Sequence, residues 1–221
     1  MKRVAARLAD RPRTVLIAGG SGELAEACAR RFEAEGAVVL GERAGPMGPI
    51  PERLDGLVAI ASADPEGPAG TPGEAARLGR ATAALDTLLT AAHPALDRAG
   101  GAVVVVVPGI GPAGSGADPV PAILAAAGAA LVRYRAVDWA PRVRVNLVPA
   151  AGARPSPLGT GPVRAEEIAE AVYFLAGEGA RFITGATLPV DRGAGLYWTM
   201  GGAGDGSGAS ADGEGGTPNT K

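Results

Sequence analysis

The sequence predicts an α/β fold, a doubly wound parallel sheet of about six strands. Short apolar runs rich in valine recur along the chain and rarely alternate with polar residues, which is typical of strands covered on both faces. Segments of helical length separate these runs, and this alternation favours a parallel sheet with right-handed crossovers. The connection over residues 42–54 is short and rich in proline and glycine, which predicts a sheet that lacks a third strand-helix unit.

Six strands and four helices are predicted in chain order. The strands are runs of β-branched and other apolar residues, and the helices are segments in which alanine, leucine, arginine and glutamate recur at helical spacing. The third helix ends before Ala140-Pro141, because a residue that precedes proline disfavours helical geometry. The predicted strands are 14–18, 37–41, 56–61, 102–107, 142–148 and 186–190, and the predicted helices are about 22–35, 73–98, 119–139 and 164–177.

One folded domain, residues 14–199, is expected between two terminal segments. Residues 1–13 form a basic N-terminal extension without the cleavage site of an export signal, which predicts a cytoplasmic protein. Residues 200–221 are glycine, serine and small acidic residues without apolar periodicity. Such a segment cannot offset the entropy of ordering, so we expect a disordered tail.

Composition excludes several classes of function. The formal net charge is −2 and no basic stripe is interleaved with aromatic residues, so we expect no nucleic-acid partner. No apolar run has the length of a membrane span, which predicts no membrane association. Arg133, Arg135, Arg142 and Arg144 form the densest basic stretch, and their spacing is typical of a solvated face.

Single cysteine and histidine residues restrict the chemistry further. Cys28 alone excludes an internal disulfide and a cysteine-based zinc site, and His93 alone excludes most histidine-dependent metal and triad chemistry. Both lie at helical spacing among alanines and leucines. We therefore predict packing roles for both residues and no metal site.

A glycine-rich turn joins the first strand to the first helix in TVLIAGGSGELAEACARRFEAEGAVVL, the context of a dinucleotide-binding unit. Here and in later segments the chain resembles the short-chain dehydrogenase/reductase family, which implies a Rossmann-type fold. LDGLVAIAS, WAPRVRVNLVPA and RAEEIAEAVYFLAGEGARFITGATLPVDRG are similar to family segments in the same order. The resemblance covers residues 14–199.

The resemblance implies a catalytic set that this chain does not carry. Family enzymes use a tyrosine as proton donor, a lysine four residues later that lowers the tyrosine pKa, a serine that orients the substrate, and an asparagine that holds a water. Aligned on WAPRVRVN, these positions fall on Pro121, Ala125, near Pro108 and near Thr82. No lysine lies between Lys2 and Lys221 in any alignment. The sequence therefore predicts no catalytic residue at the family positions.

The resemblance also implies where a dinucleotide would bind. The binding residues would be Gly19, Gly20, Ser21, Gly22 and, at the end of the second strand, Glu42. Three differences argue against a bound cofactor: glutamate and alanine replace two motif glycines, the third strand is missing, and AIAS replaces the family NNAG. A carboxylate at the start of a helix takes the place favourable for a phosphate. We expect no cofactor, with NAD(H) or NADP(H) as the alternative.

The leading hypothesis is a catalytically silent protein that acts as a structural or regulatory subunit. It resembles the inactive N-terminal half of high-molecular-weight 3-oxoacyl-acyl-carrier-protein reductases. The expected partner is a second copy or an active homologue, bound through helices 73–98 and 119–139, whose small side chains allow close approach. Two alternatives stay open: an NAD(P)-dependent oxidoreductase in which Arg133, Glu42 or another group replaces the tyrosine-lysine pair, and a small-ligand binding module.

Overall fold

A computed structural model describes residues 11–20, 22–41, 48–62, 73–108, 119–150 and 163–193 of the chain. In these ranges the strands are β1 Thr14–Ala18, β2 Val38–Gly41, β3 Gly56–Ile60, β4 Ala102–Pro108 and β5 Arg144–Ala150. The helices are α1 Glu23–Glu33, α2 Glu74–Ala99, α3 Val120–Asp138 and α4 Ala165–Ala176. The five strands form one parallel sheet in the order β2-β1-β3-β4-β5, which confirms the predicted α/β fold class.

The connection between β2 and β3 explains the strand order. β1 lies between them, with Ile17 paired to Gly41 of β2 on one side and to Val58 of β3 on the other. Residues 48–55, the described part of the connection, contain no helix or strand. β2 is the edge strand of the sheet, so in the described residues the predicted absence of a third strand-helix unit is confirmed.

The sixth predicted strand is reduced to two bridges beside β5. Leu147 pairs with Thr187 and Ala150 with Val190, both in parallel. Leu188 and Val190 donate to the carbonyl oxygens of Leu147 and Pro149, but Pro149 itself has no backbone N–H to donate in return, which limits the regular pairing of this segment with β5. The segment still extends the sheet past β5 and runs towards the carboxyl ends of the strands.

Two cores lie on opposite faces of the sheet because successive side chains of a strand point in opposite directions. Val103, Val105 and Val107 of β4 pack with residues of α2 and α3. Val104 and Val106 pack with residues of α1 and α4. All five valines are buried, so the runs of valine in the sequence arise from strands that are covered on both sides.

The helix α3 is long and largely apolar. Its 19 residues have the length and composition of a membrane span, so the expectation that no segment has this property is wrong. In the fold, however, α3 packs against β4, β5 and α2. Gly128 faces the sheet, and a Cβ atom at this position would lie 3.0 Å from Cγ1 of Val107. The helix is therefore part of the core, although only 33% of its most apolar stretch is buried.

At the amino ends of the strands, Arg144 of β5 holds the end of α4. Its guanidinium donates to the carbonyl oxygens of Leu175 at 2.7 Å, Ala180 at 3.0 Å and Gly177 at 3.1 Å. Burial lowers the pKa of Arg144. The last carbonyls of a helix have no intrahelical donor, and a guanidinium fork can satisfy several at once.

The predicted solvated face of arginines is therefore only partly correct. Arg133 and Arg142 are exposed, as expected. Arg144 is half-buried, and Arg135 is mostly buried and bonded to Asp86 of α2 at 2.6 Å. The sequence spacing was misleading because these two side chains reach across to the ends and flanks of neighbouring helices.

Cys28 and His93 have the packing roles that their spacing indicates. Cys28 is fully buried in α1, and burial raises the pKa of its thiol to about 12. The His93 ring stacks on Trp139, with 4.4 Å between the ring centroids. Neither side chain lies at the carboxyl ends of the strands.

Candidate functional site

The carboxyl ends of the strands form one edge of the sheet, which we call the carboxyl edge. β1, β3, β4 and β5 end there at Ala18, Ile60, Pro108 and Ala150, and the helices begin there. In open parallel sheets with helices on both faces, ligands bind outside this edge. The carboxyl edge is therefore the candidate functional site of the chain.

The glycine turn between β1 and α1 keeps the backbone geometry that requires glycine. Gly19 has a φ of 86°, and a Cβ atom there would lie 2.5 Å from the carbonyl oxygen of Ile60. Gly22 has a φ of 102° and is the N-cap of α1, where its carbonyl accepts a hydrogen bond from the Glu26 N–H at 3.1 Å. The predicted binding residues Ser21 and Glu42 lie outside the described residues.

Gly20 shows that a side chain of β3 occupies the space above this turn. A Cβ atom on Gly20 would lie 2.8 Å from Cγ2 of Ile60. Ile60 is the second residue of the AIAS segment and ends β3. An aliphatic side chain here offers no hydrogen-bond partner to a charged group at the base of the turn. The sequence analysis noted the altered segment but did not place Ile60 against Gly20.

The first turn of α1 carries two carboxylates. Glu23 is the first residue of the helix and is exposed, and Glu26 follows one turn later. Carboxylates near a helix N-terminus are stabilised by the helix dipole, which removes the advantage that a phosphate would have there. Together with Ile60, these carboxylates make the turn a poor fit for the pyrophosphate of a dinucleotide.

The positions that align with the family catalytic residues hold no acid, base or substrate-orienting group. The Thr82 hydroxyl donates within its own helix, to the carbonyl oxygens of Leu78 at 2.8 Å and Gly79 at 3.2 Å. Pro108 is the last residue of β4, Pro121 lies in the first turn of α3, and Ala125 is buried one turn later.

Around these positions the structure places a small apolar cluster. Val120 and Leu124, which flank Pro121 in α3, are fully buried. They pack with Ala61, which follows β3, and with Leu78 and Ala81 of α2. The ends of two helices and one strand thus meet through side chains that neither donate nor accept a hydrogen bond. We call this group the edge cluster.

A polar contact lies at the carboxyl edge, at the start of α4. The Arg164 N–H donates to Glu167 at 2.9 Å, and Nη2 of Arg192 lies 2.8 and 2.9 Å from the two carboxylate oxygens of Glu167. The Arg164 N–H and then the Arg192 guanidinium lower the pKa of Glu167. Arg192 has a φ of 54°, in the left-handed region. The contact fixes the segment beside β5 to α4, which is a structural role.

No family model and no curated protein matches the chain. Solved structures do match over most of its length. An oxidoreductase of the short-chain dehydrogenase/reductase family from Burkholderia thailandensis is 24% identical with a TM-score of 0.69, covering 84% of this chain and 94% of that one. The 3-alpha-hydroxysteroid dehydrogenase from Pseudomonas, complexed with NADH, is 24% identical with a TM-score of 0.62, covering 86% and 99%. Thermoplasma acidophilum aldohexose dehydrogenase, ligand-free, is 21% identical with a TM-score of 0.65, covering 84% and 95%.

The fold is that of the short-chain dehydrogenase/reductases. The resemblance inferred from the sequence is therefore confirmed for the fold. Within a short-chain dehydrogenase/reductase fold, this chain retains the strained glycine turn but places apolar side chains at its carboxyl edge. The edge cluster was missed because it joins residues far apart in the sequence, although the apolar character of VPAIL at the start of α3 was a visible signal.

Proposed function

We propose that this chain is a catalytically silent protein with a short-chain dehydrogenase/reductase fold that works through its surfaces, as a structural or regulatory subunit. The observation that carries the proposal is the edge cluster, because it occupies the region where carbonyl reduction would need a proton donor. The sequence supports it independently, since no lysine lies between Lys2 and Lys221 to lower the pKa of a tyrosine.

The proposal includes the absence of a working dinucleotide cofactor. Glu23 places a carboxylate at the start of α1, and Ile60 packs over Gly20. A bound pyrophosphate would meet negative charge on one side and a hydrocarbon surface on the other, and both disfavour it. NAD(H) or NADP(H) is therefore not expected to bind at concentrations at which dehydrogenases are saturated.

The partner in this proposal binds the outer faces of α2 and α3. Small residues dominate the exposed surface of α2, including Ala83, Ala84 and Ala91, which allows a second pair of helices to approach closely. The partner is a second copy of the chain or an active reductase homologue of the 3-oxoacyl-thioester class. A silent subunit of this kind would stabilise or regulate the active one, and we expect it in the cytoplasm.

Titration with NADH and NADPH, followed by nucleotide fluorescence and calorimetry, tests the proposal. We expect no saturable binding to the native chain up to millimolar nucleotide. The double variant Glu23→Gly/Ile60→Asn removes the carboxylate and the aliphatic side chain from the turn, and should bind more tightly than the native chain. Glu33→Gly is the matched control, because it removes a carboxylate from the other end of α1.

Micromolar binding of either nucleotide to the native chain would contradict the silent assignment. Hydride transfer to a diketone or an acyl thioester by the isolated protein would instead support the alternative of an oxidoreductase with a rearranged site. Nucleotide binding without hydride transfer to any carbonyl compound would support a small-ligand binding module.

A further inference from the structure

One side of the sheet has no neighbouring strand within the described residues. The strand β2 lies at this end of the strand order, whereas at the other end Thr187 and Val190 form bridges to β5. β2 contains no charged residue and no proline, and Val38 is 45% exposed. Natural proteins protect free edge strands, because unpaired backbone groups bind other strands. The side of β2 that faces away from β1, which we call the outer side, is therefore a candidate docking surface.

The pairing of β2 with β1 determines which backbone groups the outer side presents. The Val38 N–H donates to the Arg13 carbonyl of the neighbouring chain segment at 2.8 Å. In a parallel pair every second residue bonds to the neighbouring strand, so Val38 and Leu40 bond towards β1. The N–H and C=O groups of Val39 therefore point outwards, where an added strand would bond to them.

We infer that the basic N-terminal segment docks on the outer side of β2, with residues 3–8 antiparallel to β2 as an additional strand. Residues 1–10 lie outside the described residues. The proposed pairing places Leu8 beside Val38 and Arg7 beside Val39. The inference does not depend on the catalytically silent assignment, and it gives the N-terminal extension a role in completing the sheet.

The point at which the segment leaves the fold supports this placement. The chain bends at Arg11, whose guanidinium bonds to Asp55 at 2.5 Å, and Arg13 lies beside the start of β2. Passing from β1 to the outer side of β2 requires about 10 Å, twice the spacing between neighbouring strands. The four residue steps from Ala9 to Arg13 span up to about 13 Å. The segment is therefore long enough to reach the outer side.

The pattern of residues 3–8, RVAARL, matches the two faces of β2. Valine, alanine and leucine occupy the even positions, and arginine occupies two of the three odd positions, which is typical of a strand with one apolar face. Leu40 packs with the core on the side of α2 and α3, and Val39 with the core on the side of α1. Opposed side chains of antiparallel strands share a face. Leu8 therefore covers the exposed Val38, on the face of Leu40.

Charge around β2 complements the segment. Three of the four charged residues in 1–10 are basic. The proposed pairing brings Arg7 to the face of α1, near the end of this helix, where Glu33 and Glu35 are exposed and the helix dipole is negative. It brings Arg3 to the end of β2, which Glu42 follows in the sequence. Opposite charges on neighbouring strands stabilise their pairing.

The small size of the outer side favours a tethered segment over a separate molecule. The four residues of β2 span about 13 Å, so a strip about 10 Å wide is far smaller than the ~800 Å² that each partner buries in a standard interface. A segment of the same chain binds without losing the translational freedom of a separate molecule. The segment after Gly193 is a poorer candidate, because it starts beside β5 and is rich in glycine.

Amide hydrogen exchange, measured by NMR for each residue, tests the pairing. We expect the Val39 N–H of the native chain to exchange at least about 100-fold more slowly than in an unstructured peptide, because the added strand accepts its hydrogen bond. A helix formed by residues 3–8 would leave this N–H unbonded. Val4→Asp/Leu8→Asp places carboxylates in the apolar face of the segment and should remove most of the protection.

Two controls separate docking from a general effect of charge. The Val38 N–H is bonded towards β1 and should stay protected in every variant. Ala203→Asp/Ala209→Asp adds the same two charges to the C-terminal segment and should leave the exchange of Val39 unchanged. A loss of protection confined to Val39 would therefore identify the strand on the outer side.

A disulfide tests the register. In the proposed pairing Leu8 and Val38 form a pair that is not hydrogen-bonded, with Cα atoms about 4.5 Å apart, which suits a disulfide. Leu8→Cys/Val38→Cys should form this bond within one chain when oxidised glutathione accepts the two electrons and two protons released. Leu8→Cys/Val137→Cys is the control, because Val137 is exposed on α3, which packs against β4 and β5 at the other end of the sheet. Native Cys28 is buried.

Three results would overturn the inference: a Val39 N–H that exchanges freely in the native chain, protection that survives Val4→Asp/Leu8→Asp, or a Leu8→Cys/Val38→Cys variant that oxidises no faster than the control. Protection that rises with protein concentration, or a disulfide that links two chains, would also overturn it and assign the outer side to a second copy. Failure here is distinct from failure of the proposed function, because nucleotide binding is measured at the carboxyl edge and does not depend on residues 1–10.

Discussion

The two edges of the sheet are held together in different ways. At the amino edge, where the strands begin, arginines donate to the last carbonyls of the helices: Arg13 and Arg144 at the end of α4, and Arg53 and Arg142 at the end of α2. At the carboxyl edge, α1, α2 and α3 begin at Gly22, Gly73 and Pro119 without a side-chain cap. Helix N-termini without a side-chain cap are typical of an anion-binding edge.

The comparison shows that the backbone of the carboxyl edge resembles a ligand-binding site, whereas its side chains resemble a core. The backbone still has the glycine turn and the helix starts without side-chain caps that a ligand-binding edge has. The side chains around it, Ile60 and the edge cluster, pack as a core does. Among the described residues, arginine side chains bond the helix ends at the amino edge, whereas apolar side chains pack together at the carboxyl edge.

A lysine at position 125, which aligns with the catalytic lysine of the family, should cause the largest loss of stability at the carboxyl edge. Ala125 is 2% exposed beside the edge cluster, so Ala125→Lys would bury an ammonium group without a partner. We expect a loss of about 3–5 kcal/mol in the free energy of unfolding near neutral pH. Urea denaturation measures it, and Ala34→Lys, which places the same charge at an exposed position, should be nearly neutral.

The pH dependence of Ala125→Lys separates buried charge from steric overcrowding. Burial lowers the pKa of the new amine below its ordinary value of about 10.4, so the folded state binds fewer protons than the unfolded state in that range. The deficit in stability should therefore shrink as pH rises from the lowered pKa towards 10. A variant as stable as the native chain at pH 6 would mean that the position is hydrated, and would revive an enzymatic role for the carboxyl edge.

Substitution of Asn146 of β5 should cause the next largest loss of stability. Asn146 is fully buried, donates to the Ile183 carbonyl at 2.9 Å and accepts from the Ala186 N–H at 3.1 Å. Asn146→Leu removes this partner from two half-buried backbone groups, which should cost about 1–3 kcal/mol. Thr82→Val, at the carboxyl edge, should stay within about 0.5 kcal/mol because it removes only a hydroxyl bonded within its own helix. Equal losses in the two variants would contradict the contrast between the edges.

Much of the fold could be predicted from the sequence because the runs of valine and the alanine-rich helices carry their own periodicity. The absence of the catalytic pair was equally visible, since lysine occurs only at positions 2 and 221. Contacts between distant segments were not visible: Ile60 over Gly20, Arg144 at the end of α4, and Leu78 against Val120. The sequence pattern indicates which residues are apolar, but the packing of helices and strands against each other determines which of these residues are in contact.

The smallest expected change in stability concerns the contact of Glu167 with Arg164 and Arg192 at the carboxyl edge. The Arg164 N–H and the Arg192 guanidinium lower the pKa of Glu167 in the folded chain, so the ionised carboxylate stabilises the fold above the ordinary carboxyl pKa of about 4.3. This contribution is lost as pH falls through the lowered pKa, because the carboxyl group is then protonated in both the folded and the unfolded chain. Glu167→Gln should therefore lower the Tm slightly at pH 7, and the difference should shrink as the pH is lowered through the acidic range. Glu166→Gln, which removes an exposed carboxylate 3.2 Å from Arg30, is the control for surface charge. If the Tm difference of Glu167→Gln did not shrink as the pH was lowered, the contact would act by shape and hydrogen bonding alone, and not through the charge of Glu167.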